Sequence, residues 1–329
     1  MPLRVKDLGE QGLLRLVQSF CPVDIIGDDA ALLTPHPGRS LVVTSDVLVD
    51  GVHFSDRTTT ATDVGWRAAA ANLSDLAAMG ATPLGITVGL ALPGEVPVAW
   101  VEGVYQGMTH CLNRYGAAIV GGDLCRSAVI TLAITALGEV APNSAIRRGN
   151  AQPGDAILVT GAHGASRAGL ELLLYREAGQ SLSLEARNDL IQAHQRPHPR
   201  LDVLPLFKIL SSSRIAGMDS SDGLADAVLQ ICRASSVGAR IERDRIPMPE
   251  AFQRWLSPDQ ALNWALYGGE DFELVLCLPP TEARELVQQL GKPAAIVGTI
   301  TTDQEVWLVD SQDKNLDQQL MLDRGFQHF

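Results

Sequence analysis

Lysine is nearly absent from this 329-residue chain; Lys6, Lys208, Lys292 and Lys314 are all there are. No G-x-x-x-x-G-K-[ST] occurs. Gly291-Lys292 is the one Gly-Lys pair and runs into a proline, so a nucleotide site here is not a P-loop. The protein-kinase set is missing too: there is no His-Arg-Asp, and Asp271-Phe272 is followed by glutamate. The five cysteines, Cys21, Cys111, Cys125, Cys232 and Cys277, are dispersed and never form a CxxC pair. That argues against zinc and a disulfide framework and for a reducing, cytoplasmic setting. No run reaches the ~18 uninterrupted apolar residues of a membrane span, and the first residues do not resemble a secretion signal. There is no basic stripe, and the net charge of −12 argues against a nucleic-acid partner.

What the chain has instead is acid beside glycine at the ends of apolar runs. In order these are Gly27-Asp28-Asp29, Thr44-Ser45-Asp46, Asn72-Leu73-Ser74-Asp75, Gly121-Gly122-Asp123, Asp219-Ser220-Ser221-Asp222-Gly223 and Gly268-Gly269-Glu270-Asp271. Carboxylates that converge without basic partners repel one another. Mg²⁺ removes that repulsion and favours oxygen ligands shared with substrate phosphates. Each motif also has a plainer reading. Asp29 fits an acidic turn before a strand. Of Thr44, Ser45 and Asp46, one side chain should face away unless the strand ends or bulges there. Asn72 and Asp75, at i and i+3, fit either a polar helix face or a ligand pair. Gly121-Gly122 fits a tight turn or a close backbone approach to a ligand. Ser221 or Asp222 fits a helix N-cap, Gly268–Asp271 a hairpin turn, and His53 a turn. Gly161-x-x-Gly164 reads as turn glycines or as a weak phosphate cradle. It is the joint occurrence of these acids that favours a magnesium-phosphate site.

The length favours two domains. Leu8, Leu13, Leu16, Val17 and Phe20 form one face of an N-terminal helix. Strands are expected at Leu41–Thr44, Ile86–Leu92, Ala117–Val120 and Ile130–Ala136, and helices at Asp63–Met79 and Val101–Tyr115, an α+β half. The Pro-, Gly- and Asn-rich stretch Ala141–Gly154 marks the boundary. Beyond it the pattern is α/β: strands at Ala156–Thr160, Ala239–Glu242, Phe272–Leu278, Ala294–Gly298 and Val306–Val309, with helices near Leu170–Leu174, at Asp222–Arg233 and at Thr281–Leu290.

The acidic motifs, with Gly51-Val52-His53-Phe54 and Asn72–Gly80, resemble the thiamine-monophosphate kinase family from about residue 8 to the end. The glycine–aspartate turns are shared with its wider superfamily, that of aminoimidazole ribonucleotide synthetase. The resemblance implies that fold, with a mixed N-terminal sheet and helices and a C-terminal α/β domain. It implies residues 1–140 as an ATP- and Mg²⁺-binding, dimerising domain and residues 150–329 as the domain that completes the nucleotide and substrate site. The implied reaction is transfer of the γ-phosphoryl group of ATP to thiamine monophosphate. Asp29, Thr44, Ser45, Asp46, Asp75, Asp123, Asp219 and Asp222 are implied as ligands of several Mg²⁺ ions. Gly122, Asp123, Arg148 (with Arg147 adjacent) and Ser221 would contact ATP, and His53, Glu270 and Phe326 the thiamine phosphate. Catalytic work would fall to Asp46, Asp123, Arg148 and Asp222. Leu124 and Cys125 follow Gly-Gly-Asp where the family usually has threonine. The alternatives are another ATP-dependent member of the superfamily and a non-catalytic nucleotide-binding relative. No reactive cysteine stands in a glycine-rich N-terminal segment, and the last residues, Gln327-His328-Phe329, are not a cysteine motif, against selenophosphate synthetase and the hydrogenase-maturation relatives respectively. A homodimer joined through N-terminal sheets is expected, because Ile86–Leu92 and Ile130–Ala136 each offer an apolar face. On that reading, charges at Val88 or Leu132 would break it.

Overall fold

The computed structural model describes residues 2–210, 214–310, 313 and 316–325. The chain divides into two compact units, Met1–Leu76 with Ala81–Pro142, and Ala77–Gly80 with Asn143–Phe329.

The first unit is built on four strands, β1 (Ser40–Val49), β2 (Thr82–Leu92), β3 (Ile119–Arg126) and β4 (Thr131–Val140), in the order β1-β4-β2-β3. Only β2 and β3 are parallel. The registers put Asp46, Ile134, Val88 and Gly122 in one row across the sheet. On that face Val88, Leu90, Leu132, Ile134 and Ala136 are buried. Helix α2 (Ala61–Ala78) lies against it: Leu76 stands 3.0 Å from where a Cβ on Gly138 would be. Helix α3 (Val98–Asn113) crosses α2 so closely that a Cβ on Gly107 would sit 1.9 Å from the Thr62 carbonyl oxygen. Helix α1 (Val5–Gln18) contacts α3, burying Leu13 and Val17, and Phe20 just beyond it meets Tyr105.

The other face of the sheet has little cover. Leu41, Val43 and Val47 on β1 are 53%, 60% and 50% exposed. This corrects the assignment of faces made from alternation. Val88 and Leu132 belong to the unit's own core, and the apolar residues left outward are those of β1. Alternation reveals that a strand has two faces, but not which one the helices take.

Among the described residues, the second unit carries seven strands in the order β11-β10-β7-β9-β5-β8-β6: β5 (Ala156–Val159), β6 (Ala216–Asp219), β7 (Gly238–Glu242), β8 (Leu274–Leu278), β9 (Ala295–Thr301), β10 (Val306–Val309) and β11 (Gln318–Gln319). Helix α6 (Leu224–Ser235) buries Leu224, Ala227, Val228 and Ile231 in the main core, as the i, i+3, i+4 and i+7 spacing requires. A second cluster joins α4 (Ala165–Leu174), α5 (Leu184–Gln195), α7 (Phe252–Trp255) and α8 (Pro258–Tyr267) through Ala168, Leu172, Leu190, Phe252 and Trp264. Helix α9 (Pro280–Leu290) contacts β5, β8 and β9.

Candidate functional site

Strand β1 runs on through Thr44-Ser45-Asp46 with no bulge, so side chains alternate. Thr44 and Asp46 point to the α2 side. There the Thr44 hydroxyl donates a short hydrogen bond to the Asp75 carboxylate, and the Asp46 backbone N–H donates to Asn72 Oδ1 at 3.2 Å. Asn72 is fully buried and anchored by its Nδ2 to the Ala68 carbonyl at 3.0 Å. Asn72 and Asp75 are therefore not a solvated helix face. They are a polar pair aimed at β1. Ser45 points the other way and bonds the Ile134 carbonyl at 2.9 Å, so the three oxygens do not converge.

His53 closes the turn after β1. Its Nδ1 accepts from the Val49 N–H at 3.1 Å, which places the hydrogen of the neutral ring on Nε2. Gly121-Gly122-Asp123 is extended edge strand, not a turn. A Cβ on Gly122 would lie 2.1 Å from the Val88 carbonyl oxygen, so the strand pairing alone demands that glycine. The β3 edge and the segment after α1 line a cavity of about 150 Å³, and Asp28, Asp29, Gly122 and Asp123 share its wall. Asp28 and Asp29 thus line the same small opening as Asp123, some ninety positions further on.

In the second unit, β6 ends at buried Asp219, whose Oδ1 accepts from the Ser221 hydroxyl at 3.2 Å. Helix α6 is capped by Gly223 with no side-chain bond, so neither Ser221 nor Asp222 acts as the N-cap. Arg148 starts a 3₁₀ turn. Its charge reaches Asp226 in the first turn of α6, a carboxyl that burial pushes above its ordinary range. Arg147 precedes that turn and is exposed.

Gly268–Phe272 joins α8 to β8 and so is not a hairpin. Glu270 and Phe272 have positive φ, 57° and 53°, unusual for residues with side chains. The turn is held from several sides. The Glu270 N–H donates to the Ser221 carbonyl at 2.6 Å. Asp271 accepts from the Gly164 and Ser166 N–H groups at 2.6 and 2.9 Å. Asp271 thus occupies the α4 N-terminus, where Gly161-x-x-Gly164 could otherwise cradle a phosphate. Burial pushes its carboxyl up to about 7 despite those two bonds, with Glu273 and Glu270 adding to the rise. Glu273 is held by Arg200 Nη1 and the Thr160 hydroxyl, both at 2.5 Å. Phe326 lies outside the described residues.

Residues 27–140 match the family model "AIR synthase related protein, N-terminal domain", and residues 152–310 match its C-terminal counterpart. The thiamine-monophosphate kinase of Synechococcus elongatus is 55% identical over 329 residues, 99% of this chain and 98% of that protein. This chain belongs to the thiamine-monophosphate kinase family. Among solved structures, thiamine-monophosphate kinase from Stenotrophomonas maltophilia K279a aligns with a TM-score of 0.79 at 35% identity, covering 89% of this chain and 94% of that one. The structure "AaThiL complexed with AMPPCP and TMP" aligns with a TM-score of 0.73 at 30% identity, covering 99% of each chain. The α+β, aminoimidazole ribonucleotide synthetase-like fold expected from the motifs is the fold found.

Within this member of the thiamine-monophosphate kinase family, Ser166 and His194 emerge only from the structure, as does the inward role of Asp271. Ser166 Oγ and His194 Nδ1 lie 3.1 Å apart, and the same His194 nitrogen is 3.7 Å from Glu270 Oε2. Asp271 closes the Gly268-Gly269-Glu270-Asp271 motif, but nothing in its spacing says that it turns inward. His194 carries no local signal, since α5 is largely polar and buries only Leu190 and His194.

Proposed function

We propose that this protein transfers the γ-phosphoryl group of ATP to the phosphate of thiamine monophosphate, giving thiamine diphosphate and ADP, with Mg²⁺ bound. The observation that carries the reading is the full-length 55% identity to a thiamine-monophosphate kinase. The similar structure with AMPPCP, an ATP analogue, and TMP supports both ligands.

The donor chemistry fits magnesium. Asp29 with Asp123, and Thr44 with Asp75, offer hard oxygens. Among the described residues no three His, Cys, Asp or Glu side chains form a ready-made metal cage. That suits an ion that takes one or two carboxylates and completes its shell with water and phosphate oxygens. We assign Asp29, Thr44, Asp46, Asp75, Asp123, Asp219 and Asp222 to several such ions, each taking one or two of the carboxylates. Ser45, on the opposite face of β1, is the weakest of the expected ligands. When bound, Mg²⁺ neutralises charge between the reacting phosphates.

In the reaction an acceptor phosphate oxygen forms a bond to the γ-phosphorus. The bond to the β–γ bridging oxygen breaks, and its electron pair leaves with ADP. The acceptor monoester has a second pKa of ~6, as in phosphoamino acids, so no general base has to remove a proton. The protein's task is to position two anions and offset their charge. Arg148 supplies fixed positive charge, Gly122 and Ser221 hold the nucleotide, and His53 and Glu270, with Phe326, hold the acceptor. Residues 1–140 hold ATP and Mg²⁺ in this scheme, and residues 150–329 supply Arg148's downstream partners in binding, Ser221 and Glu270. The protein acts in the cytoplasm, where its five free thiols remain reduced, and as a homodimer through the exposed face of β1. No helix among the described residues is long and apolar enough to cross a membrane.

ADP release against a panel of acceptors tests the reading. Thiamine monophosphate should be turned over and thiamine should not, because thiamine lacks the attacking phosphate. Equal rates with the two would overturn the substrate assignment.

A further inference from the structure

Glu270 stands on a turn that its own backbone disfavours, directly after positive-φ Gly269 and two residues before positive-φ Phe272. An exposed carboxylate on such a turn would adopt many orientations. Here the turn is clamped from beneath by one residue acting twice. The Ser166 N–H holds Asp271, and the Ser166 hydroxyl holds His194 Nδ1. Ser166 and His194 are 1% and 3% exposed, so the imidazole is a buried polar group and this bond helps to orient it. The same nitrogen faces Glu270 Oε2 across 3.7 Å, beyond hydrogen-bond range, so it attracts the carboxylate as an ion pair when the ring is protonated and bounds it sterically otherwise, while the Glu270 side chain remains about one-third exposed. A half-open carboxylate with a rigid buried imidazole behind it has the form of a ligand-facing group backed by a second layer.

We propose that His194, oriented by Ser166, is a positioning residue that holds Glu270 for the thiamine moiety of the substrate. The proposal rests on the reading of Glu270 as an acceptor-binding residue. Thiamine carries a quaternary thiazolium and an aminopyrimidine, and a carboxylate complements either one. His194 does not touch the substrate. It limits the orientations of the Glu270 carboxylate, so its effect falls on acceptor affinity and not on the nucleotide.

The test is binding of thiamine monophosphate by titration calorimetry without ATP, together with KM values for both substrates. His194→Leu should weaken thiamine monophosphate binding about tenfold and leave KM for ATP within twofold. His194→Asn, which keeps a hydrogen-bonding group near the Nδ1 position, should stay within threefold of wild type. In a Glu270→Gln background His194→Leu should cost no more than a further twofold, because His194 acts through Glu270. A tenfold loss that persists in that background, an equal loss for ATP, or unchanged acceptor binding overturns the proposal. Should His194→Leu fail to fold, Ser166→Ala carries the same test, since it removes the hydroxyl and keeps the N–H to Asp271. A loss of about threefold confined to the acceptor supports the proposal, and no loss overturns it. If Glu270→Gln itself binds the acceptor like wild type, the assignment of Glu270 falls and takes the proposal with it. If Glu270→Gln weakens binding and the His194 variants do not, the proposal falls alone.

Discussion

At the scale of single residues, the two carboxylates that matter most are set in opposite surroundings. Asp46 is half-buried on β1, and its backbone N–H is tied to Asn72. Replacing it with asparagine keeps that backbone bond and the side-chain volume but removes the charge. Asp46→Asn should therefore lower kcat/KM by about 100-fold or more at saturating Mg²⁺, within the several kcal/mol a phosphate-bound metal supplies, with the thermal midpoint little changed. Activity within a few-fold of wild type would remove Asp46 from the metal site. Asp271 is buried and held at about 7, up from 3.8. A carboxyl whose pKa rises on folding binds its proton more tightly in the folded chain. Its contribution to stability is complete below about pH 4 and is lost as the pH rises through about 7. Asparagine cannot titrate, so the stability of Asp271→Asn relative to wild type should rise between pH 4 and 8, by up to about 4 kcal/mol. Urea unfolding at several pH values measures it. A difference that does not change with pH would show that Asp271 ionises normally.

At the scale of elements, close approaches of backbone set Asp75 and Asn72 against β1. α3 crosses α2 at Gly107, and α2 in turn presents Asn72 and Asp75 to β1. A methyl at Gly107 would meet the Thr62 carbonyl oxygen at 1.9 Å, the Thr62 carbonyl carbon at 2.8 Å and the Trp66 nitrogen at 2.9 Å, all backbone atoms that cannot give way cheaply. Gly107→Ala should cost about 1–3 kcal/mol by denaturant unfolding, as overpacking does. A cost under 0.5 kcal/mol would mean the helices separate freely. Most elements were legible because their periodicity is clean: α6 and the strands β2, β4 and β10 lie where the apolar spacing puts them. β1 extends further than its apolar run, through Asp46 to Val49, since a residue facing α2 need not be apolar if Asn72 and its neighbours bond it. α5 and α8 escaped notice because α5 is largely polar and because Gly268-Gly269 looked like a hairpin. The acidic motifs themselves were plain, but their partnerships were not. No local spacing links Asp29 to Asp123, or Thr44 to Asp75, and the inward turn of Asp271 depends on positive-φ residues that no apolar pattern signals.

At the scale of the whole molecule, the proposed homodimer would join two chains of net charge −12 against their mutual repulsion, so its self-complementary surface has to be apolar and nearly uncharged. The outward face of β1 meets both conditions from Val43 to Val47; at its start, buried Glu139 opposite Leu41 is paired with His36 and Arg39. Leu41, Val43, Ser45 and Val47 alternate along it, three of them at least half exposed, and beside them lie Ala133, Thr135 and Leu137 of β4. Apolar side chains in a row on an uncovered sheet face are unusual for a monomer. Pairing that face with its symmetry mate removes the same residues from water twice. Val43→Lys places one charge at the centre of the face in each protomer. In the monomer Val43 is exposed, so the substitution should leave folding stability within about 0.5 kcal/mol. In the dimer it brings two ammonium groups together in an apolar contact. Light scattering coupled to size exclusion should give twice the 35.2 kDa of one chain for wild type and 35.2 kDa for the variant at low micromolar concentration. Val88→Lys should instead unfold the chain, because Val88 lies in the core beneath the helices. A wild-type mass of one chain would deny the dimer, and a Val43→Lys protein that stays dimeric would place the contact elsewhere.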